Sequence, residues 1–310
     1  MTGGRVTGAR AVGATRGGGV DGTRFVAIGD GRCRVRQSGE PGRPTAVLLH
    51  GIGRSLEDWA AQHDRLRGRR VLSMDLPGFG FSDRMPGSAD LPTLAGGVVA
   101  TLDALGRTGP VHLLGNSLGG AVCLQLLAAV PQRVSTLTLV NSAGFGREVA
   151  ATLRLLSVPG LGELLLRPNR GAARRAERAL FADPAFVTEA RVEQAVARAG
   201  RPGSAEFFLE TARLLGTFRG VRAGWRAELL TEVARHPRPT LILWGDRDLI
   251  LPAHHLRAAR ALLPHAQSHV FGGTGHMPQI ERADRFAELV GAFLARNEVA
   301  TAVGTVQPAG

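Results

Sequence analysis

The sequence predicts an α/β fold: a mostly parallel central sheet with helices on both faces, and an inserted helical cap. Three observations predict it. Short runs such as Ala46–Leu49, Leu137–Val140 and Leu241–Trp244 are continuously apolar, as strands buried on both faces must be. Helical patterns fall between these runs. From about 147 to 235 the alternation stops, and only helical patterns separated by Pro159, Pro168, Pro184 and Pro202 remain.

In order, RFVAIGDGRCRVR at 24–36 alternates around Gly29-Asp30-Gly31 and reads as a hairpin. TAVLLHGIG, 45–53, is a buried strand running into a glycine turn, and RRVLSMDLPGFGFSD, 69–83, repeats the pattern. Leu94, Val98, Val99, Leu102 and Leu105 mark a helix over 92–106. VHLLGNSLGGAVCLQLLAAV, 111–130, is a strand turning directly into a helix, and STLTLVNSA, 135–143, is the next strand. After the insertion come the strand PTLILWGDRD (239–248), a helix over 253–263, the strand and loop HVFGGTGH (269–276) and a closing helix over 283–296. The expected division is a tail at 1–22, core at 23–146, cap at 147–235, core at 236–297 and a tail at 298–310.

The composition of the 310 residues excludes several classes. The net charge of +12 comes entirely from arginine, yet the arginines are scattered, aromatics are 5% and tyrosine is absent. That is poor material for stacking bases, so no nucleic-acid partner is expected. Cys33 and Cys123 form no disulfide framework or metal spacing, and no apolar run is long enough to cross a membrane. The start lacks the apolar core of a signal peptide, so a cytoplasmic protein is expected, with a homodimer an open alternative to a monomer.

The chemistry centres on Gly115-Asn116-Ser117-Leu118-Gly119. A strand that turns straight into a helix strains the turn residue and crowds its neighbours two positions away, which glycine relieves. The Ser117 hydroxyl then stands at a helix N-terminus, which favours developing negative charge. A serine nucleophile needs a base, and the base needs an orienting carboxylate. Asp248 follows one strand and His276 another, in the order Ser, Asp, His. The N–H groups of Ile52, in the turn after His50, and of Leu118 are the candidate oxyanion donors, and Gly51, Asn116 and Met277 are candidate substrate contacts. Asp246, Asp75, Asp83, His50, His112, His254 and His255 read as structural. Arg170, Arg174 and Arg178 share one cap helix face, either solvated or a guide for an anionic substrate.

The segments LLHGIG, DLPGFGFSD, GNSLGG, LWGDRDLILP and GHMPQIERADRF resemble motifs of the α/β-hydrolase superfamily over about 24–142 and 236–297. Within it they look closest to the carbon–carbon hydrolases of aromatic ring-cleavage products and to related esterases, lactonases and cofactor-free haloperoxidases. The resemblance implies Ser117 as nucleophile, Asp248 as acid, His276 as base and a helical cap. One departure is Met277, where those carbon–carbon hydrolases usually carry tryptophan. The expected activity is cofactor-free hydrolysis of a hydrophobic ester or lactone, with no metal needed. The alternatives are carbon–carbon cleavage of a diketone-type acid, a perhydrolase, or an inert ligand-binding protein.

Overall fold

The computed structural model describes residues 22–304. The chain opens with the hairpin β1 (Thr23–Ile28) and β2 (Gly31–Ser38), then β3 (Thr45–Leu49), α1 (Ala60–His63), β4 (Arg70–Met74), α2 (Leu91–Ala104), β5 (Val111–Asn116), α3 (Leu118–Ala129) and β6 (Val134–Val140). Next come α4 (Ala151–Leu156), α5 (Leu161–Leu165), α6 (Arg170–Leu180), α7 (Glu189–Ala199), α8 (Ser204–Leu215), the two-residue strands β7 (Gly216–Thr217) and β8 (Gly220–Val221), and α9 (Ala223–Ala234). The chain returns through β9 (Thr240–Gly245), α10 (His255–Leu262), β10 (Gln267–Phe271), α11 (Pro278–Glu281) and α12 (Ala283–Gly304).

The central sheet has eight strands in the order β1-β2-β4-β3-β5-β6-β9-β10. β1 and β2 run antiparallel to their neighbours and the rest are parallel. Every residue of β3, β5 and β9 is buried, which is why these strands read as continuous apolar runs. The period of two divides them between two cores. Val47 and Leu49 face a cluster with α2 and α3, whereas Ala46 and Leu48 face Trp59, Phe286 and Phe293 on the other side. α3 is apolar on nearly every face because it lies between the sheet, α2 and α9. Asp90 caps α2 by accepting from Thr93 N at 2.9 Å, and Pro92 stands in its first turn.

Two details differ from the sequence expectation. The helical segment contains the β7–β8 ribbon, which the sequence did not announce because it is only two residues a side and is held by a tertiary bond, Val221 N to Arg147 O at 2.9 Å. The closing helix runs past 296 to Gly304, so residues 298–304 are not a tail; Arg69 Nε holds Glu298 at 2.7 Å. The remaining tail assignments, residues 1–21 and 305–310, lie outside the described residues. Among the described residues, no helix is long and apolar enough to cross a membrane.

Candidate active site

Ser117 stands between β5 and α3 with φ 56° and ψ −117°, a conformation that costs a non-glycine residue about 1–3 kcal/mol. The surroundings hold it there. Ser117 N donates to Val140 O at 3.0 Å, and Ser117 O accepts from Gly120 N at 3.0 Å and Ala143 N at 3.1 Å. The two glycines at the ends of the motif are steric necessities: a Cβ on Gly115 would overlap the backbone of Gly119, and one on Gly119 would overlap the Leu49 carbonyl. β3 and β5 can therefore approach the head of α3 closely, which brings the turn after β3 beside the serine.

Asp248 follows β9 and His276 follows β10, and parallel neighbours end on the same side of the sheet. His276 Nδ1 lies 2.7 Å from Asp248 Oδ2, with both side chains buried. Asp248 is held by donors alone. Oδ2 also accepts from Asn141 Nδ2 at 2.6 Å, and Oδ1 accepts from Ile250 N at 2.7 Å and Leu251 N at 3.0 Å. The carboxylate thus meets His276 as an acceptor, and the imidazole proton belongs on Nδ1 with the Nε2 lone pair outward. Among the described residues Ser117 Oγ and His276 Nε2 are not hydrogen-bonded; such contacts commonly tighten only with substrate bound.

The turn after β3 is fixed by His50, which is fully buried. Leu76 N donates to its Nε2 at 2.9 Å and its Nδ1 donates to Gly51 O at 2.7 Å. Burial holds its pKa below the ordinary imidazole range, against the pull of Asp75, so it stays neutral and serves as donor and acceptor at once. Among the described residues, neither Ile52 N–H nor Leu118 N–H donates to a protein acceptor. Asn116 Nδ2 ties β5 to the His276 loop by donating to His276 O at 3.0 Å and to Val140 O at 3.2 Å, while its buried Oδ1 has no partner among the described residues. Gly51 lies beside Ser117 Cβ and Asn116 Oδ1. Met277 is fully buried against Phe181 and Ile280.

The residues read as structural have structural partners. Asp246 accepts from Thr274 N at 3.1 Å, and Asp75 accepts from Leu56 N and Phe81 N at 2.7 Å while pairing with Arg34. Asp83 pairs with Arg32, and His112 Nδ1 lies 3.0 Å from Thr136 Oγ1. Arg170 and Arg174 bind Glu189 on α7 at the exposed surface.

Several residues at the site escaped the sequence reading. Asn141, at φ 43°, is the other described non-glycine residue with positive φ, and it also accepts from Gly245 N at 3.3 Å. Its place at the end of β6, beside β9, was the available signal. Glu281 joins the loop before His276 to the end of α6, accepting from Gly275 N at 2.7 Å and Ala182 N at 2.9 Å. His276 N donates to Leu180 O at 2.7 Å, so the loop that carries His276 hangs on the helical segment.

A buried charge network makes a second such joint. Arg54, in the turn after β3, pairs with Asp58 at 2.7 Å and with Glu177 of α6, and Arg198 of α7 lies 3.5 Å from Glu177. Burial alone would raise Asp58, but the Arg54 guanidinium holds it below the usual carboxylate range. Burial and the neighbouring Arg54 charge pull Arg198 down to about 10. Glu177→Ala would leave Arg54 and Arg198 sharing Asp58. Breaking a buried pair from one side costs about 3–5 kcal/mol, and the expected result is a clearly lower urea midpoint. An unchanged midpoint would mean that water or a side-chain shift compensates the charge.

Residues 44–283 match the family model described as alpha/beta hydrolase fold. The chain is 36% identical over 260 residues to the dihydrolipoyllysine-residue acetyltransferase component of the acetoin cleaving system of Pseudomonas putida, covering 84% of this chain but only 65% of that protein's length. It is 32% identical over 263 residues to a 2-hydroxymuconate semialdehyde hydrolase of Pseudomonas sp., covering 82% of this chain and 88% of the relative. In fold it is similar to a meta-cleavage product hydrolase from Pseudomonas fluorescens, at TM-score 0.74 and 24% identity, over 88% of this chain and 97% of that one.

Proposed function

The chain belongs to the α/β-hydrolase family, and from that premise we propose that it is a serine hydrolase cleaving a hydrophobic carboxylic ester or lactone. The observation that carries this reading is the His276–Asp248 pair at 2.7 Å, joined through Asn116 to the strained turn that presents Ser117. Ser117 Oγ attacks the carbonyl carbon as His276 Nε2 takes its proton. The N–H groups of Ile52 and Leu118 bind the oxyanion, each contributing about 3–4 kcal/mol in such sites. His276 returns the proton to the leaving alkoxide, then takes one from water, whose oxygen attacks the acyl carbon; as the acid leaves, His276 gives that proton back to Ser117 Oγ. Each step is completed by side chains and backbone of this chain.

A second reading rests on the similarity to the 2-hydroxymuconate semialdehyde hydrolase: the same three side chains would hydrolyse a carbon–carbon bond in a diketone-type acid. Arg198 supports it. Its guanidinium, buried beside Ser55 Oγ at 3.3 Å with an Nε that lacks a partner among the described residues, is the candidate group for the acid's carboxylate.

Fluorophosphonate labelling of the purified chain, with the modified peptide mapped, tests the shared core. Modification of Ser117 is expected, and a folded protein that does not label would refute the serine hydrolase. Turnover of p-nitrophenyl esters with no cleavage of a ring-fission dienoate selects the first reading. The reverse selects the second.

A further inference from the structure

Away from Ser117, the structure places three metal-ligating side chains together. We propose that Glu148, His254 and His255 form a zinc site that ties the start of the helical segment to the strand-end region carrying Asp248. Their ligand atoms all lie within 4.8 Å of one another. Glu148 Oε2 is 3.0 Å from His255 Nε2 and 3.7 Å from His254 Nε2. Zinc binds such atoms at about 2.0–2.2 Å, so they must come to about 3.4 Å apart for tetrahedral geometry. His254, 59% exposed, is free to make most of that movement, while His255, 2% exposed, is already fixed.

The donor set selects the ion. Two imidazoles and one carboxylate suit zinc, with water in the fourth position, whereas magnesium and calcium need several oxygen ligands. The surrounding charge opposes weakly held cations. Arg226 faces His255 and Glu148, and Arg147, Arg154 and Arg219 line an open hollow of about 310 Å³ with Glu148. That positive field repels any cation, so the imidazole lone pairs must supply the affinity. His255 is buried, with Nε2 at 3.0 Å from Glu148 Oε2. On binding, its proton moves from Nε2, where it now faces Glu148, to Nδ1, and the freed lone pair coordinates the metal.

The position gives the site a consequence. Glu148 lies between β6 and α4, where the chain leaves the sheet, and the next bond along, Ala150 N to Ile250 O at 2.9 Å, already reaches the loop after Asp248. His254 and His255 begin α10, just beyond that loop. A bound ion would brace this junction without touching the reacting groups.

The test is calorimetric titration of the full chain with zinc chloride after EDTA treatment, with thermal unfolding measured in parallel. One zinc ion per chain is expected, with a rise in Tm that magnesium does not produce. His254→Ala and Glu148→Gln should each weaken binding at least tenfold and remove the Tm rise. Both residues are exposed, and an unchanged Tm in EDTA would show that the variants fold. Absence of zinc binding, or equal binding by wild type and both variants, overturns the site. Buried Cys33 and Cys123, whose thiols burial pushes up, to about 11 for Cys33, do not compete.

Discussion

Ser117→Ala is expected to lower kcat by about 10⁶-fold while leaving the fold intact. Alanine keeps the Cβ, so the strained backbone at φ 56° is neither relieved nor worsened. The bonds that hold the turn, from Ser117 N to Val140 O and from Gly120 N and Ala143 N to Ser117 O, are all backbone and survive the change. Only Oγ is lost, and with it the covalent route. The oxyanion donors and the binding surface remain, and in serine hydrolases such groups alone leave about 10³–10⁴-fold over the uncatalysed rate. Steady-state turnover on the best substrate, beside a thermal melt, decides the matter. A variant that melts like wild type and turns over at more than a hundredth of its rate would mean that Ser117 is not the nucleophile.

The sheet and the three candidate catalytic side chains were legible because each depends on local sequence. Buried parallel strands read as apolar runs, as in Leu241–Trp244; Ser117 directly follows β5, Asp248 stands a short loop beyond β9, and His276 a short loop beyond the less buried β10. The nucleophile turn writes its sterics into Gly115 and Gly119. What was not legible depends on distant partners. Arg54 and Glu177 are 123 positions apart, and nothing near either announces the pair. Periodicity singled out Arg170 and Arg174 on α6, but it could not show that Glu189 on the next helix takes both. Glu281 was invisible for a different reason. A buried carboxylate that accepts from Gly275, Ala182 and Asp183 N–H groups looks in sequence like any helix-terminal glutamate. The candidate site is coded locally, whereas the contacts that seat the helical segment are coded in pairs.

Asp248→Asn should cost about 10⁴-fold in kcat, the order found when the carboxylate of such a triad is made an amide. Here the reason can be read from the partners. All four groups around Asp248 are donors: His276 Nδ1–H and Asn141 Nδ2–H on one oxygen, Ile250 N–H and Leu251 N–H on the other. An asparagine has one acceptor oxygen and one NH₂. If the oxygen stays with the two backbone donors, the NH₂ faces His276 and drives its proton to Nε2, so the ring points an N–H at Ser117 and cannot act as a base. If the oxygen faces His276, the NH₂ opposes Ile250 and Leu251 N–H, leaving buried donors unpaired at roughly 1–3 kcal/mol each. The backbone donors cannot move, so the first arrangement should win, disabling the base and leaving Asn141 Nδ2–H without its acceptor at roughly 1–3 kcal/mol. Fluorophosphonate labelling of the variant should slow by a similar factor, since labelling also needs the serine deprotonated. Turnover within tenfold of wild type would show that His276 takes its orientation from elsewhere, leaving Asn116, which holds the His276 backbone carbonyl at 3.0 Å, as the group that positions it.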